Sequence, residues 1–432
     1  MPSFKEKMTR EVLQLGLAKA ASLPIGVAVT IILARNMSAT TFGHYSLVLA
    51  LLPLAVIFIS GGSQQLLSRE FALINHSDSW INGYGLVQAA QRWTVIALAI
   101  AVTVVTVFTL SSLTNITDTS SISPYLTLVI AFIVARMTVH NGVLRGLQRP
   151  TRAEFPLLVV QPIVMLILAT AIAISAGQIY FIEALLAYLA SMLFALLISK
   201  SLYQRISDQA AALRSKPASL ALTIPRSLPF FFIALVGIAN TQSSVILTGF
   251  LHSATEAGYM RLAERLAIFV ALPQTIINMV NAPIIAKLYR AGDTKRLQRL
   301  ISVSTRTTIL LSLPIAALLI FFGGQVISIT AGSKYAPETA IPLAILVIAQ
   351  LGNIFSGPVG VLLTMSGHER KVLLGQGVSL IFSVALGILL IPIFGAMGGA
   401  IAAAVGMICW NFILLFVTTT QLKISTLPFR RA

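Results

Sequence analysis

Six of the 30 lysines and arginines in this 432-residue sequence stand apart from the basic clusters at alternate connections between its apolar stretches: Lys19, Arg35, Arg136, Arg261, Arg265 and Lys334. A cation inside hydrocarbon costs a few kcal/mol on insertion scales, so it faces a partner or a polar cavity. Arginine also carries a planar fork of donors that matches phosphate oxygens. Arg136 is the deepest, nine residues before Arg145, roughly 14 Å by helical rise. His140 shares its helical face one turn on, and Asn141 is beside it. Two readings stand for Arg136: an anion-binding cation, or an arginine bonded to carbonyls or to a polar group of a neighbouring helix. His140 reads more readily as a hydrogen-bonded packing residue than as a proton carrier. Arg261, Glu264 and Arg265 sit at i, i+3 and i+4, where Glu264 neutralises one arginine and leaves about one net positive charge. A self-satisfied ion-pair cluster and a cavity role both fit. Lys19 either faces a cavity or snorkels to the membrane surface.

Uncharged polar residues follow the same helical spacing. Asn240, Ser243, Ser244 and Thr248 form one set; Gln274, Asn278 and Asn281 another; Gln350 and Asn353 a third. They suit a polar lining or hydrogen bonds between helices equally. Pro24 and Gly26 interrupt the first apolar run, as a hinge or as an ordinary kink. The acidic residues inside the runs, apart from their inner ends, are Glu183, Glu264 and Glu338, and two of these lie near outer ends. No phosphate-cradling loop, paired carboxylates or metal-ligand cluster stands out, so neither an enzyme nor a cofactor or metal is expected. The single cysteine, Cys409, rules out a disulfide framework.

The elements that must position these residues are membrane helices. Hydrophobic residues make up 57 % of the chain and charged ones 10 %, against roughly 25 % charged in soluble domains. Twelve apolar runs are long enough to cross a bilayer, at about 12–34, 44–66, 86–112, 124–146, 154–176, 179–200, 227–250, 257–285, 300–329, 337–365, 372–394 and 397–420. Backbone groups in hydrocarbon must pair within their own segment, so these runs are helices. The first run, after Lys5, Lys7 and Arg10, is read as a retained helix rather than a signal peptide.

With the N-terminus in the cytoplasm, cytoplasmic segments hold 24 of the 30 lysines and arginines, and the outer connection around Asp118 holds none. Both termini are then cytoplasmic. The net charge of +17 is mainly this topology signal, with a lesser place for contacts to anionic lipid or a partner enzyme, and implies no nucleic-acid partner. The polar stretch 203–225 reads as a cytoplasmic linker between an N-terminal six-helix bundle, 1–202, and a C-terminal one, 226–432.

A repeat supports those halves. "SATTFG" from Ser38 and "SATEAG" from Ser253 are 215 residues apart and place Gly43 and Gly258 alike. "RGLQR" and "SGHER" place Gly146 with Arg149 and Gly367 with Arg370, offset by 221, and Gly177 with Gly398 repeats that offset. A duplicated unit of six helices keeps its orientation, giving two parallel repeats around a central cavity in an all-α integral membrane protein.

Several of these stretches resemble bacterial polysaccharide flippases, the Wzx-type members of the multidrug/oligosaccharidyl-lipid/polysaccharide exporter superfamily. They are "ILARNMSATTFGHYSL", "SREFA", "VLRGLQR", "EAGYMRLAERL" with "NAPIIAKLYRAGDTKRL", "LLTMSGHERK" and "GAMGGAIAAAVG". The resemblance implies transfer of undecaprenyl-pyrophosphate-linked oligosaccharide across a bacterial inner membrane, for O-antigen, capsule or exopolysaccharide synthesis. Polymerase and glycosyltransferases of the same pathway are the expected partners, beside membrane lipids. Relatives often carry an acid in the seventh helix before "ILxG"; here that stretch holds Gln242 and Ser243. A cation antiporter of the multidrug and toxin extrusion type is the second reading, and should place carboxylates in its cavity. A membrane glycosyltransferase or polymerase is the third, and should carry a large outer catalytic loop. On the first reading Arg136 holds the pyrophosphate, with Lys19, Arg261 and Arg265 as further cavity cations.

Overall fold

The apolar runs form helices throughout the computed structural model, which describes residues 4–73, 77–111, 119–211 and 220–427. The outer connection around Asp118 falls outside these residues, as do Arg214, Lys216, Arg430 and Arg431. The first six crossings come from α1 (Phe4–Asn36), α2 (Ala39–Ser60), α4 (Ser77–Ser111), α5 (Thr119–Gly146), the pair α6 (Pro150–Phe155) and α7 (Gln161–Ala176), and α8 (Phe181–Ala211). Then come α9 (Leu220–Leu251), α10 (Ala254–Arg290), α11 (Thr294–Thr330), α12 (Ala336–Phe355) and α14 (Glu369–Thr420), with α3 (Ser63–Ala72) and α13 (Val359–Met365) as short helices. At 1.5 Å per residue the 52 residues of α14 would span roughly 78 Å, far beyond one bilayer core. Gly395 resolves this with non-helical angles, φ 54° and ψ −129°, and divides α14 into the last two of the twelve crossings among the described residues.

Two boundaries differ from the apolar pattern. The second run, 44–66, breaks at Gly61 and Gly62, both at positive φ, and α3 begins at Ser63. The tenth run, 337–365, breaks at Ser356–Pro358, where Gly357 has φ 75° and Pro358 withholds a donor. Hydropathy sees neither, because glycine and proline do not interrupt an apolar average. The gap between the last two runs holds the turn at Gly395, three residues before the repeated Gly398. The stretch 203–225 is helical at 203–211 and 220–225, with 212–219 outside the described residues.

A π turn, Pro156–Val160, joins α6 to α7, and the Gln161 N–H reaches back to the Pro156 carbonyl. α1 runs without a break through Pro24, Gly26 and the exposed Lys19.

The chain forms two units. One comprises Met1–Val29 and Val48–Ile238; the other comprises Thr30–Leu47 and Ala239–Ala432. The core of the first gathers Leu52, Ile59, Ile130, Met137 and Met192. In the second, Ile285, Leu297, Ile301, Leu362 and Ile424 pack together.

Within the second unit the repeated phrases meet each other. Each serine accepts from a backbone N–H three residues on, Ser38 from Thr41 and Ser253 from Glu256. Thr255 donates its hydroxyl to Thr40 at 3.2 Å. A Cβ on Gly43 would overlap the Ala254 carbonyl, and one on Gly258 would lie 3.1 Å from the Gly43 Cα. Small residues here let two backbones touch. Lys334 donates to the Arg35 and Met37 carbonyls beside this crossing, and Arg35 donates to the Ile329 carbonyl.

Candidate functional site

Charge within the second unit converges on α10. Its first turns place Arg261, Glu264 and Arg265 on neighbouring rows of one helix face, anchored by Ser253 at the N-cap. They line a cavity of about 500 Å³ with Asn240, Gln242, Ser243 and Ser244 of α9 and Gln350 of α12. The two crossings of α14 close it with Gln376, Ser379, Ser383 and Trp410.

Arg261 is buried and held on two sides. One guanidinium nitrogen donates to the Gln242 amide oxygen at 2.9 Å, the other to Glu264 at 3.4 Å. Ser244 donates to the second Glu264 oxygen at 2.5 Å. The bonds of this cluster all belong to Arg261, Glu264, Gln242 and Ser244. Arg265, half-buried in the same lining, has no hydrogen-bond or ion-pair partner among the described residues. Gln242 matters to this balance: it supplies an acceptor at a position in the seventh crossing where a carboxylate would add a second negative charge. With two arginines and one glutamate, the lining keeps one net positive charge, and the Arg265 fork is free to take an oxyanion.

The other polar residues sort clearly. Asn240 donates to the Gln376 carbonyl at 2.8 Å. Asn353 bonds Gln274 at 3.0 Å and Gln350 at 3.4 Å, which makes it a link between α12 and α10 rather than a lining residue. Asn278 is half-buried and outside the lining. The α14 residues Gln376, Ser379 and Ser383 were missed in the sequence reading. Their spacing of three and four is the signal that would have found them, as polar positions on one face of an apolar run.

The first unit has a cavity of about 470 Å³ without one ionised side chain in its lining. Ser60 of α2, Gln64 and Gln65 of α3, Thr138 of α5, Gln161 of α7 and Tyr188 of α8 supply its polar groups. Leu157 within the π turn and Gln161 just after it both face the cavity, and Gln161 donates to Ser191 at 3.3 Å. Such bulges recur at functional positions. Val134 and Thr138 carry the lining face of α5, while Arg136 and His140 lie on the opposite rows. Arg136 is half-buried and outside the lining, with no ion-pair partner among the described residues. His140 is buried, bonded to Ser199 at 3.1 Å and stacked on Tyr203 at 4.6 Å. Asn141 is buried beside it. The structure thus gathers Arg261, Glu264, Arg265, Asn240, Ser243 and Gln350 in one cavity and leaves Arg136, His140, Asn141 and Lys19 outside both.

Comparisons with known proteins agree with this architecture. A model of the polysaccharide biosynthesis protein family matches residues 8–289. The fold is similar to an inward-facing multidrug resistance MATE family transporter, at 13 % identity and TM-score 0.71, covering 95 % of this chain and 98 % of that one. It is also similar to the lipid II flippase MurJ, at 14 % identity and TM-score 0.68, covering 94 % and 87 %. A transporter from Pyrococcus furiosus, described as having a binding pocket of reversed polarity, matches at 15 % identity and TM-score 0.56 over 96 % of each chain. No curated protein matches the sequence.

Proposed function

Since the chain belongs to the polysaccharide biosynthesis protein family, we propose that it is a flippase for oligosaccharides carried on undecaprenyl pyrophosphate. It takes them from the cytoplasmic to the periplasmic leaflet of a bacterial inner membrane, with both of its termini in the cytoplasm. The observation that carries this reading is the free Arg265 in a lining of net charge +1. A pyrophosphate cannot enter hydrocarbon unaccompanied, and a fixed guanidinium replaces part of its hydration. Amides and hydroxyls in the same lining suit the sugars, while the polyprenyl chain stays in the bilayer. The cytoplasmic side of the membrane is negative, so outward movement of an anion runs with the field, about 2.3 kcal/mol per charge per 100 mV.

The cation antiporter reading shares the fold, as the MATE similarity shows. It is disfavoured by charge, because an organic cation entering this lining would meet an unpaired arginine. Deletion of the gene decides between the two. The flippase reading expects loss of surface glycan, restored by the plasmid-borne protein, with unchanged sensitivity to cationic dyes. Dye hypersensitivity with normal surface glycan would overturn it.

A further inference from the structure

The first unit holds a smaller cavity of about 210 Å³, where α2, α4 and the first turns of α9 meet. Its walls are mostly apolar, including Phe58, Ala90 and Phe231. The volume equals about seven waters, but apolar cavities of this size stay dry. Two polar atoms nevertheless lie in these walls with no partner among the described residues: the Ser63 hydroxyl, on a residue 4 % exposed, and the Trp93 indole nitrogen. Indole is a donor only, so the missing group is an oxygen acceptor. Ser63 opens the ten-residue helix α3, whose N-cap, Gly62, makes no side-chain cap. The first N–H groups of such a helix favour anionic oxygen. The α9 backbone closes over this corner: a Cβ on Gly62 would lie 2.6 Å from the Phe231 nitrogen.

The surroundings add charge of the matching sign. Arg92 and Arg226 are exposed and directly precede the wall residues Trp93 and Ser227. Phe58 and Leu228, also in the walls, are themselves exposed, so the cavity opens on an apolar surface. A ligand that satisfies all of this has an apolar chain, acceptor oxygens at the root of the chain and a negative charge beyond them. We propose that this cavity binds an anionic phospholipid of the bilayer. An acyl segment fills the apolar walls, an ester or phosphate oxygen accepts from Ser63 and Trp93, and Arg92 and Arg226 balance the phosphate. A lipid held there joins α9 to the Gly61–Gly62 break at the start of α3.

The test is native mass spectrometry of the full chain from detergent, titrated with phosphatidylglycerol or with phosphatidylethanolamine of the same chains. One phosphatidylglycerol should bind more tightly than any further copy and more tightly than phosphatidylethanolamine. Trp93→Phe and Ser63→Ala should each weaken it about fivefold, the effect of one hydrogen bond. The double variant Arg92→Gln, Arg226→Gln should remove the preference between headgroups. Ala90→Phe should fill the cavity and abolish the tight adduct. If that variant does not fold, Trp93→Phe and the smaller change Ser63→Ala decide together. A photoactivatable phosphatidylglycerol should label peptides of α2, α4 or α9. Tight binding unchanged in Trp93→Phe, no tight adduct in the parent protein, or labelling elsewhere would overturn the proposal. Displacement of phosphatidylglycerol by undecaprenyl phosphate at lower concentration would overturn it too, by making the carrier lipid the occupant.

Discussion

The two larger cavities described have nearly the same size but differ in charge. That of the second unit contains Arg261, Glu264 and Arg265, and that of the first contains glutamines, a serine, a threonine and a tyrosine without a charge. A repeat that duplicates helices therefore need not duplicate chemistry. Ser46, Leu49 and Ala50 stand in the first copy where Arg261, Glu264 and Arg265 stand in the second, at the 215-residue offset of the shared phrase. The phrase itself persists because it does a mechanical job, the close backbone crossing at Gly43 and Gly258. The residues that follow it are free to differ. On the proposed function, one cavity attracts phosphate and the other offers neutral hydrogen bonds to sugars.

Reversing the charge of the second cavity is the strongest way to break this contrast. Arg265→Glu changes its net charge from +1 to −1 and should lower glycan export more than 100-fold, since interactions with a charged group contribute about 1.5–3 kcal/mol each and the new carboxylate repels as well. Protein abundance on immunoblots should stay normal, because Arg265 has no partner to lose among the described residues.

Arg261 should behave differently from its neighbour. It is tied to Glu264 and Gln242, and removing one member of a buried ion pair typically costs about 3–5 kcal/mol. Arg261→Met should therefore reduce the stability of the detergent-purified protein in thermal unfolding. Adding Glu264→Gln should return most of the loss. An unaltered melting temperature in the single variant would show that the pair is solvated.

Gln242→Glu sharpens the comparison from the other side. It brings the second cavity to zero net charge while keeping an acceptor for Arg261. Export should fall about tenfold with stability retained or raised, a split between activity and stability that the preceding variant does not give. In the uncharged cavity, Gln161→Leu removes one hydrogen bond and should cost about fivefold or less. Its effect should depend on the glycan in export assays with different repeat units. A loss equal for every glycan would place Gln161 in the scaffold of the π turn instead.

Much of the second cavity was legible in the sequence. Charges inside an apolar run stand out, and the spacing of Arg261, Glu264 and Arg265 fixes a shared face whatever the tertiary structure. The resemblance made Gln242 conspicuous as a departure, and the structure gives it a role as the acceptor for Arg261. Periodicity could not say which way a face points. Arg136 and Thr138 are two residues apart on α5 and equally deep, but only Thr138 meets a cavity, because α5 packs its Val134–Thr138 rows there. The breaks at Gly61–Gly62 and Gly357 and the π turn at Pro156 depend on backbone angles that hydropathy averages over. Gln376, Ser379 and Ser383 carry no charge, and uncharged polar side chains stand out weakly in an apolar run.

The central claim is that the cation receiving the pyrophosphate is Arg265 of the second unit, and not the deeper Arg136 of the first. The direct measurement is equilibrium binding of a short polyprenyl pyrophosphate to the detergent-purified parent protein, Arg265→Gln and Arg136→Gln, with the corresponding polyprenol as the uncharged control. Loss of one charged fork should weaken pyrophosphate binding about 10- to 100-fold in Arg265→Gln. Arg136→Gln should stay within about threefold of the parent, well under the effect of one charged hydrogen bond, and polyprenol binding should not change in either. Full affinity in Arg265→Gln, or a large loss confined to Arg136→Gln, would contradict the account.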